Sequence, residues 1–157
     1  MILDPPARML IEWQCTSLCY KAMFCIDTGD VDALLNLFTE DAELSSALGV
    51  FKGRDQIRSL FSSDRTGMTL RHVITNIHFQ EVQADQADAV GYNTSYHAFD
   101  NDGKNPFETA RLFELHDRYV RTEQGWLIKS RNSKIIFAPS DWIKESLDAI
   151  SERGGGV

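Results

Sequence analysis

Between Ala7 and Ile26 the chain contains neither glycine nor proline, and Met9, Trp13, Leu18, Ala22 and Ile26 recur at near-helical intervals. This predicts a long first helix starting just after Pro5 and Pro6. Asp27-Thr28-Gly29-Asp30 then breaks it, and Asp30 is placed to cap a second helix through Val31, Leu34, Leu35 and Phe38. Ala42 to Lys52 reads as a short hairpin around Gly49. Arg54 to Phe61 reads as a third, short helix with Ile57, Leu60 and Phe61 apolar.

From Thr69 onward the pattern changes to long β-type runs: Thr69 to Gln83, Ala87 to Phe99, Thr109 to Arg121 and Gly125 to Phe137, separated by polar stretches. Four such strands predict an antiparallel meander. In the first of them one parity carries Leu70, His72, Ile74, Asn76 and His78, and the other Arg71, Val73, Thr75, Ile77 and Phe79. Neither parity is cleanly polar, which suggests that both faces of the sheet are covered, helices on one and a second copy of the chain on the other. Helices first and a curved antiparallel sheet second is an α+β arrangement, in which helices laid across the concave side leave a pocket closed at one end. Asp141 to Glu152 reads as a helical tail with Trp142, Ile143, Leu147 and Ile150 on one side, before a frayed Gly154-Gly155-Gly156. No internal repeat or linker divides the chain, so the expectation is one domain over 1–157, with its core at 8–138 and a tail at 139–157.

The 157 residues, 43% of them apolar, carry a net charge of −7. A chain of this size buries roughly 68–70% of its extended surface, so a core forms without disulfides or metal. The negative charge, with no run of Lys and Arg, argues against nucleic acid as a partner. Three cysteines, Cys15, Cys19 and Cys25, all within the first helix, imply no pairing framework. They read as small buried hydrophobes in a reducing compartment. No stretch is long enough to span a bilayer and no basic region precedes an apolar one, so the expected location is cytoplasmic.

Phosphate loops, dinucleotide-binding turns, nucleophile elbows and metalloprotease helices are all missing from the sequence, so no cofactor is expected. The remaining chemistry lies in ionisable groups that the periodicity places toward the interior. His72 and His97 sit mid-strand, and Asp27 sits where the first helix ends. A histidine titrating near neutrality can take a proton and return it, especially if a carboxylate fixes its tautomer. The competing view is that a lone strand histidine is a hydrogen-bonded structural residue and Asp27 a solvated corner. His78 and His116 read as structural, His116 within an exposed ion-pair surface with Glu114, Asp117 and Arg118. Arg131 alternates with Lys129 and Ser133 on a parity open to solvent, and Tyr20, Tyr92 and Tyr96 read as packing residues.

The order of elements and several short motifs resemble the nuclear transport factor 2-like superfamily, in its SnoaL-like branch. The resemblance runs from about Ile11 to Phe137. It rests on Cys25-Ile26-Asp27-Thr28-Gly29-Asp30 with Leu37-Phe38-Thr39-Glu40-Asp41-Ala42, on Phe51-Lys52-Gly53, on Arg71-His72-Val73-Ile74-Thr75-Asn76, and on Gly125-Trp126 followed by Arg131-Asn132. It implies a cone-like curved sheet wrapped around N-terminal helices. In the branch's dehydratases and dehydrochlorinase a histidine on the first long strand is the base and an aspartate at the end of the first helix supports it, which here match His72 and Asp27. By the same resemblance His97 corresponds to a second histidine, and Arg131, five residues after Trp126, to an arginine that assists the leaving group. Trp13, Tyr20, Phe24, Asn93 and Asn132 are expected to bind substrate.

The chain departs from the family's substrate-specific equipment. Ala22 stands where the dehydrochlorinase has a lysine and the bile acid dehydratase a tyrosine; Ile26 and the Ser46 region replace the tyrosines of scytalone dehydratase. The expectation is therefore a cofactor-independent lyase or isomerase acting on a hydrophobic cyclic small molecule, in a homo-oligomer. The alternative is a noncatalytic ligand-binding or accessory subunit like the small subunits of ring-hydroxylating dioxygenases. A metal site from His72, His97 and Asp27 is a weaker third reading, since their spacing supplies no ligand pattern.

Overall fold

The computed structural model describes residues 3–62, 68–98 and 109–139. The expected helical tail at 141–152 and the loop at 100–108 lie outside them. Helix α1 (Pro5–Thr28) starts where the Asp4 carboxylate accepts from the Ala7 N–H at 2.8 Å, with prolines in first-turn positions that need no donor. It stops at Gly29, whose φ of 72° ends the helix in the left-handed region. Its inner side is Ile11, Cys15, Cys19, Ala22 and Cys25, with Leu18 and Ile26 half-buried, while Met9 and Trp13 are 68% and 67% exposed. The helix is apolar on more than one side, and the stripe with small residues is the one that lets it lie close against the sheet. As expected, the three cysteines are buried and free.

Asp30 caps α2 (Val31–Leu35) through the Ala33 N–H at 3.0 Å. That helix ends short of Phe38, because the chain turns into β1 (Phe38–Ser46) and the Leu37 carbonyl accepts from the Ile128 N–H at 2.8 Å. The hairpin of β1 with β2 (Gly49–Lys52) leads into α3 (Gly53–Phe61), and then come β3 (Thr69–Val82), β4 (Gln86–Ala98), β5 (Thr109–Thr122) and β6 (Gly125–Phe137). The predicted four-stranded meander is thus part of a six-stranded sheet, ordered β2-β1-β6-β5-β4-β3, because β1 joins the free side of β6 in parallel. The sheet is curved and unclosed, and β3 is one of its edges.

The mixed parities of β3 have a local cause. Between Thr75 and His78 the register with β4 slips by one residue, and Asn76 takes a φ of 53°. This β-bulge returns Ile77 and Phe79 to the side already holding Leu70, His72 and Ile74. Ile77 and Phe79 pack against the core formed by the sheet's concave face and the helices, centred on Phe38, Leu34, Ile57, Tyr119 and Ile128. The mixed pattern along β3 therefore comes from a bulge in a strand with one face toward the core. The outer face still exposes Val73, Tyr92 and Tyr96, at 45%, 37% and 40%.

Candidate active site

Asp27 lies in the last turn of α1, which runs across β3. An edge strand has N–H groups that no neighbouring strand uses, and that of His72 donates to Asp27 Oδ2 at 3.0 Å. The other carboxylate oxygen lies 2.7 Å from His72 Nδ1. Backbone and ring of His72 are therefore clamped by one carboxylate 45 residues away, and both side chains are 11% exposed. An ionised carboxylate only accepts, so Nδ1 carries the proton and Nε2 is the basic nitrogen.

His72 opens onto a cavity of about 230 Å³ between the concave sheet, α1 and α3. Its apolar wall includes Met23, Ile26, Phe38, Leu44, Leu60, Phe61, Leu70 and Phe113, and its polar wall Asn93, Ser95, His97, Arg111 and Arg131. Ser95 Oγ is 2.6 Å from His97 Nε2, and Arg111 Nη1 is 2.8 Å from the same nitrogen and 3.2 Å from Nδ1. Arginine has no acceptor, so in this contact the guanidinium donates and a His97 ring nitrogen accepts.

Deeper along the same sheet face, Arg131 makes a bidentate pair with Asp117, at 2.7 Å from Nε and 2.5 Å from Nη2, and Nη2 also lies 3.3 Å from Cys19 Sγ. Tyr119 donates to Asp117 Oδ2 at 2.7 Å. Burial works against the Arg131 charge, but the Asp117 carboxylate more than offsets it and holds the guanidinium well above its ordinary pKa. Burial, and then the Asp117 charge, also push the Tyr119 hydroxyl well above the usual range.

Of the residues expected from sequence, His72, His97, Arg131 and Asn93 line the cavity, and Asp27 stands behind His72. Trp13, Tyr20 and Phe24 do not: they lie on the outer side of α1, 67%, 52% and 67% exposed. Asn132 is exposed on the other face of β6 from Arg131, as neighbouring strand residues must be. Arg131 itself is 4% exposed, contrary to a solvent-facing parity, because a register break between Arg118 and Tyr119 in the β5–β6 pairing puts it on the same face as Ile128. Tyr92 and Tyr96 are surface residues, whereas the buried tyrosine is Tyr119.

His78 is exposed, and exposed His116 pairs with Glu114 at 2.8 Å. Sequence reasoning overlooked Ser95, Arg111 and Tyr119, and it misplaced Asp117 on the exposed surface around His116, whereas Asp117 is 6% exposed because it pairs with Arg131. The signal for Arg111, Asp117 and Tyr119 was present in β5, where Arg111, Phe113, Leu115, Asp117 and Tyr119 share one parity and charges alternate with large apolar groups. Among the described residues no three His, Cys, Asp or Glu side chains gather as metal ligands, and no helix is long and apolar enough to cross a membrane.

Residues 7–132 match the model of the SnoaL-like domain. No curated protein sequence matches the chain. Among solved structures, a proposed scytalone dehydratase of Novosphingobium aromaticivorans is similar at 18% identity and a TM-score of 0.75, over 85% of this chain and 89% of that one. An NTF2-like protein with a cystatin-like fold from the same organism is similar at 22% identity and a TM-score of 0.69, over 89% and 91%. A hexachlorocyclohexane dehydrochlorinase, LinA type 2, is similar at 18% identity and a TM-score of 0.69, over 87% and 99%. The fold, the order of its elements and the stretch matched agree, and the chain belongs to the SnoaL-like domain family of the NTF2-like superfamily.

Proposed function

We propose that the protein is a cofactor-independent lyase or isomerase in which His72 removes a proton from carbon in a hydrophobic cyclic small molecule. The observation that carries this reading is the 2.7 Å contact between Asp27 and His72 Nδ1 at the wall of an apolar cavity. It leaves Nε2 as base and places a negative charge where imidazolium would form. His97 and Arg131 are the groups for a departing oxygen; Nη1 of Arg131 is the guanidinium nitrogen engaged by neither Asp117 nor Cys19. Asn93 is the remaining expected substrate contact on this wall. A volume of about 230 Å³ lies below the roughly 300 Å³ at which common ligand pockets begin, and favours one or two rings over a larger polycycle.

The test starts from native mass spectrometry of the purified protein to identify a retained ligand, followed by assay of that compound. Conversion by the parent should fall on the order of 10²–10⁴-fold in His72→Gln, with the circular dichroism spectrum unchanged. Full turnover by His72→Gln refutes the base. A ligand that binds tightly and is returned unaltered by the parent supports the accessory-subunit reading instead.

The exposed Tyr92, Tyr96 and Val73 on the sheet's outer face support a homo-oligomer, and the free buried thiols fit the cytoplasm. Sedimentation velocity should give a species heavier than 17.8 kDa, which Tyr92→Glu with Tyr96→Glu converts to monomer. A monomeric parent rejects the assembly.

A further inference from the structure

We propose that the outer side of α1 is a docking surface for the chain's own segment 141–152, which follows β6 and returns antiparallel to the helix. On that side Met9, Leu10, Trp13, Tyr20 and Phe24 are between 52% and 68% exposed. Met9, Trp13, Tyr20 and Phe24 follow one another at intervals of four, seven and four residues, with the small Thr16 and Ser17 between them. They form one stripe along the helix, opposite the buried Ile11, Cys15, Cys19 and Ala22. Five large side chains exposed to this degree present roughly 600–700 Å² of apolar surface, above the roughly 300–600 Å² of the largest patch on a typical monomer. None of the five lines the cavity, so a ligand there leaves the stripe uncovered.

The occupant follows from where the chain leaves the sheet. Arg131 Nη2 on β6 lies 3.3 Å from Cys19 Sγ on α1, and farther along both elements Ser133 lines the same cavity as Met23 and Ile26. Helix α1 and strand β6 therefore advance in the same direction, and the chain passes Phe137, itself 67% exposed, at the end of the fold where α1 carries Phe24. From Phe137 to Asp141 the chain reaches about 13–14 Å, enough to pass the 10–12 Å thickness of a helix. Pro139 keeps Ala138 extended over that step. In helical form 141–152 is about 18 Å long, against about 22 Å for the stripe from Met9 to Phe24.

The segment's sequence has the matching character. Ile143, Leu147 and Ile150 recur at helical spacing beside Trp142, while the acidic residues from Asp141 to Glu152 recur at intervals of four, three and four on the opposite side. One side is thus made to be buried and the other to meet water. A segment tethered a few residues away is present at an effective concentration on the order of millimolar, well above that of a second copy in dilute solution. The sheet's outer face, which carries the proposed homo-oligomer, lies on the opposite side of the fold. A second self-pairing face there would add copies without closing, so cover from within the chain is the arrangement that leaves the assembly finite. The docking is independent of His72 and of what the cavity binds.

Hydrogen exchange of the full chain, read by mass spectrometry, tests this. The amides of 141–152 should exchange at least about tenfold more slowly than those of a free chain, the mark of a local opening equilibrium that favours the docked form. Trp13→Glu with Phe24→Glu, both at surface positions, should return that segment to the free-chain rate and leave β5 unchanged. The reciprocal variant, Ile143→Asp with Leu147→Asp in a Trp142→Phe background, should shift the tryptophan emission to longer wavelength as Trp13 becomes wet, and it keeps the test open if the α1 variant folds poorly. The docking is overturned if 141–152 exchanges at the free-chain rate in the parent, if its protection survives both α1 substitutions, or if the emission is unmoved by the reciprocal pair. Protection that fades on dilution of the parent would assign the stripe to a second copy and equally overturn it.

Discussion

At the scale of single residues, the buried pair of Arg131 and Asp117 is the most consequential feature outside the base. Each side chain is 4% exposed, so each charge depends on the other. Asp117→Asn leaves a guanidinium buried without its counter-charge and should cost about 3–5 kcal/mol of stability in urea unfolding. Tyr119→Phe removes only the hydroxyl that donates to Asp117 and should cost about 1–2 kcal/mol. Equal effects from the two would mean that the ion pair contributes nothing beyond a hydrogen bond. His72 and Asp27 were legible as candidates because their residue types and places, mid-strand and helix end, suit acid–base work. Trp13, Tyr20 and Phe24 misled because aromatic character is no guide to which side of an all-round apolar helix meets the sheet. Arg111 escaped notice, and Asp117 was placed on the exposed surface, because a charged side chain in a strand reads as solvent-facing until a partner across the sheet is known.

At the scale of elements, alternation located the four long strands to within one or two residues, since residues confined between two layers must repeat with period two. It did not reveal the bulge at Asn76, which inverts the parity halfway along β3 and by itself accounts for the mixed pattern there. Asparagine tolerates the left-handed region better than a β-branched residue does, so Asn76→Val should cost about 1–3 kcal/mol in thermal or urea unfolding, and Asn76→Gly much less. An unchanged Asn76→Val protein would show that the strand re-registers freely. Opposite this stretch Gly91 is closely covered: a Cβ there would meet Ile77 Cγ1 at 3.2 Å and the Thr75 carbonyl oxygen at 3.4 Å. Gly91→Val should therefore cost about 1–3 kcal/mol by overpacking.

For the whole molecule, the buried protonated groups set a limit on the alkaline side. Burial, followed by the Asp117 charge, pushes the Cys15 thiol from 9.0 to about 12, and Tyr119 is raised in the same direction. Both groups hold their protons longer folded than unfolded, so their contribution is complete below the unfolded-state values and declines as pH rises through them toward the folded ones. The melting temperature should therefore fall progressively above about pH 9, first with the thiol and then with the phenol near pH 10, and Cys15→Ala should flatten the first part of that fall. A melting temperature independent of pH between 8 and 11 contradicts this. The sequence alone determined the element types, their order and the α+β class, because hydrophobic period and turn residues act over neighbours a few positions apart. It also singled out Asp27 and His72, and the family resemblance led to the expectation that they pair. Their meeting across 45 residues, the joining of β1 to β6, the choice of α1's inner face and the matching of Arg131 by Asp117 were decided only by the tertiary structure. Those outcomes depend on sheet curvature and on which strand lies beside which, and neither quantity is encoded in the spacing of residues along the chain.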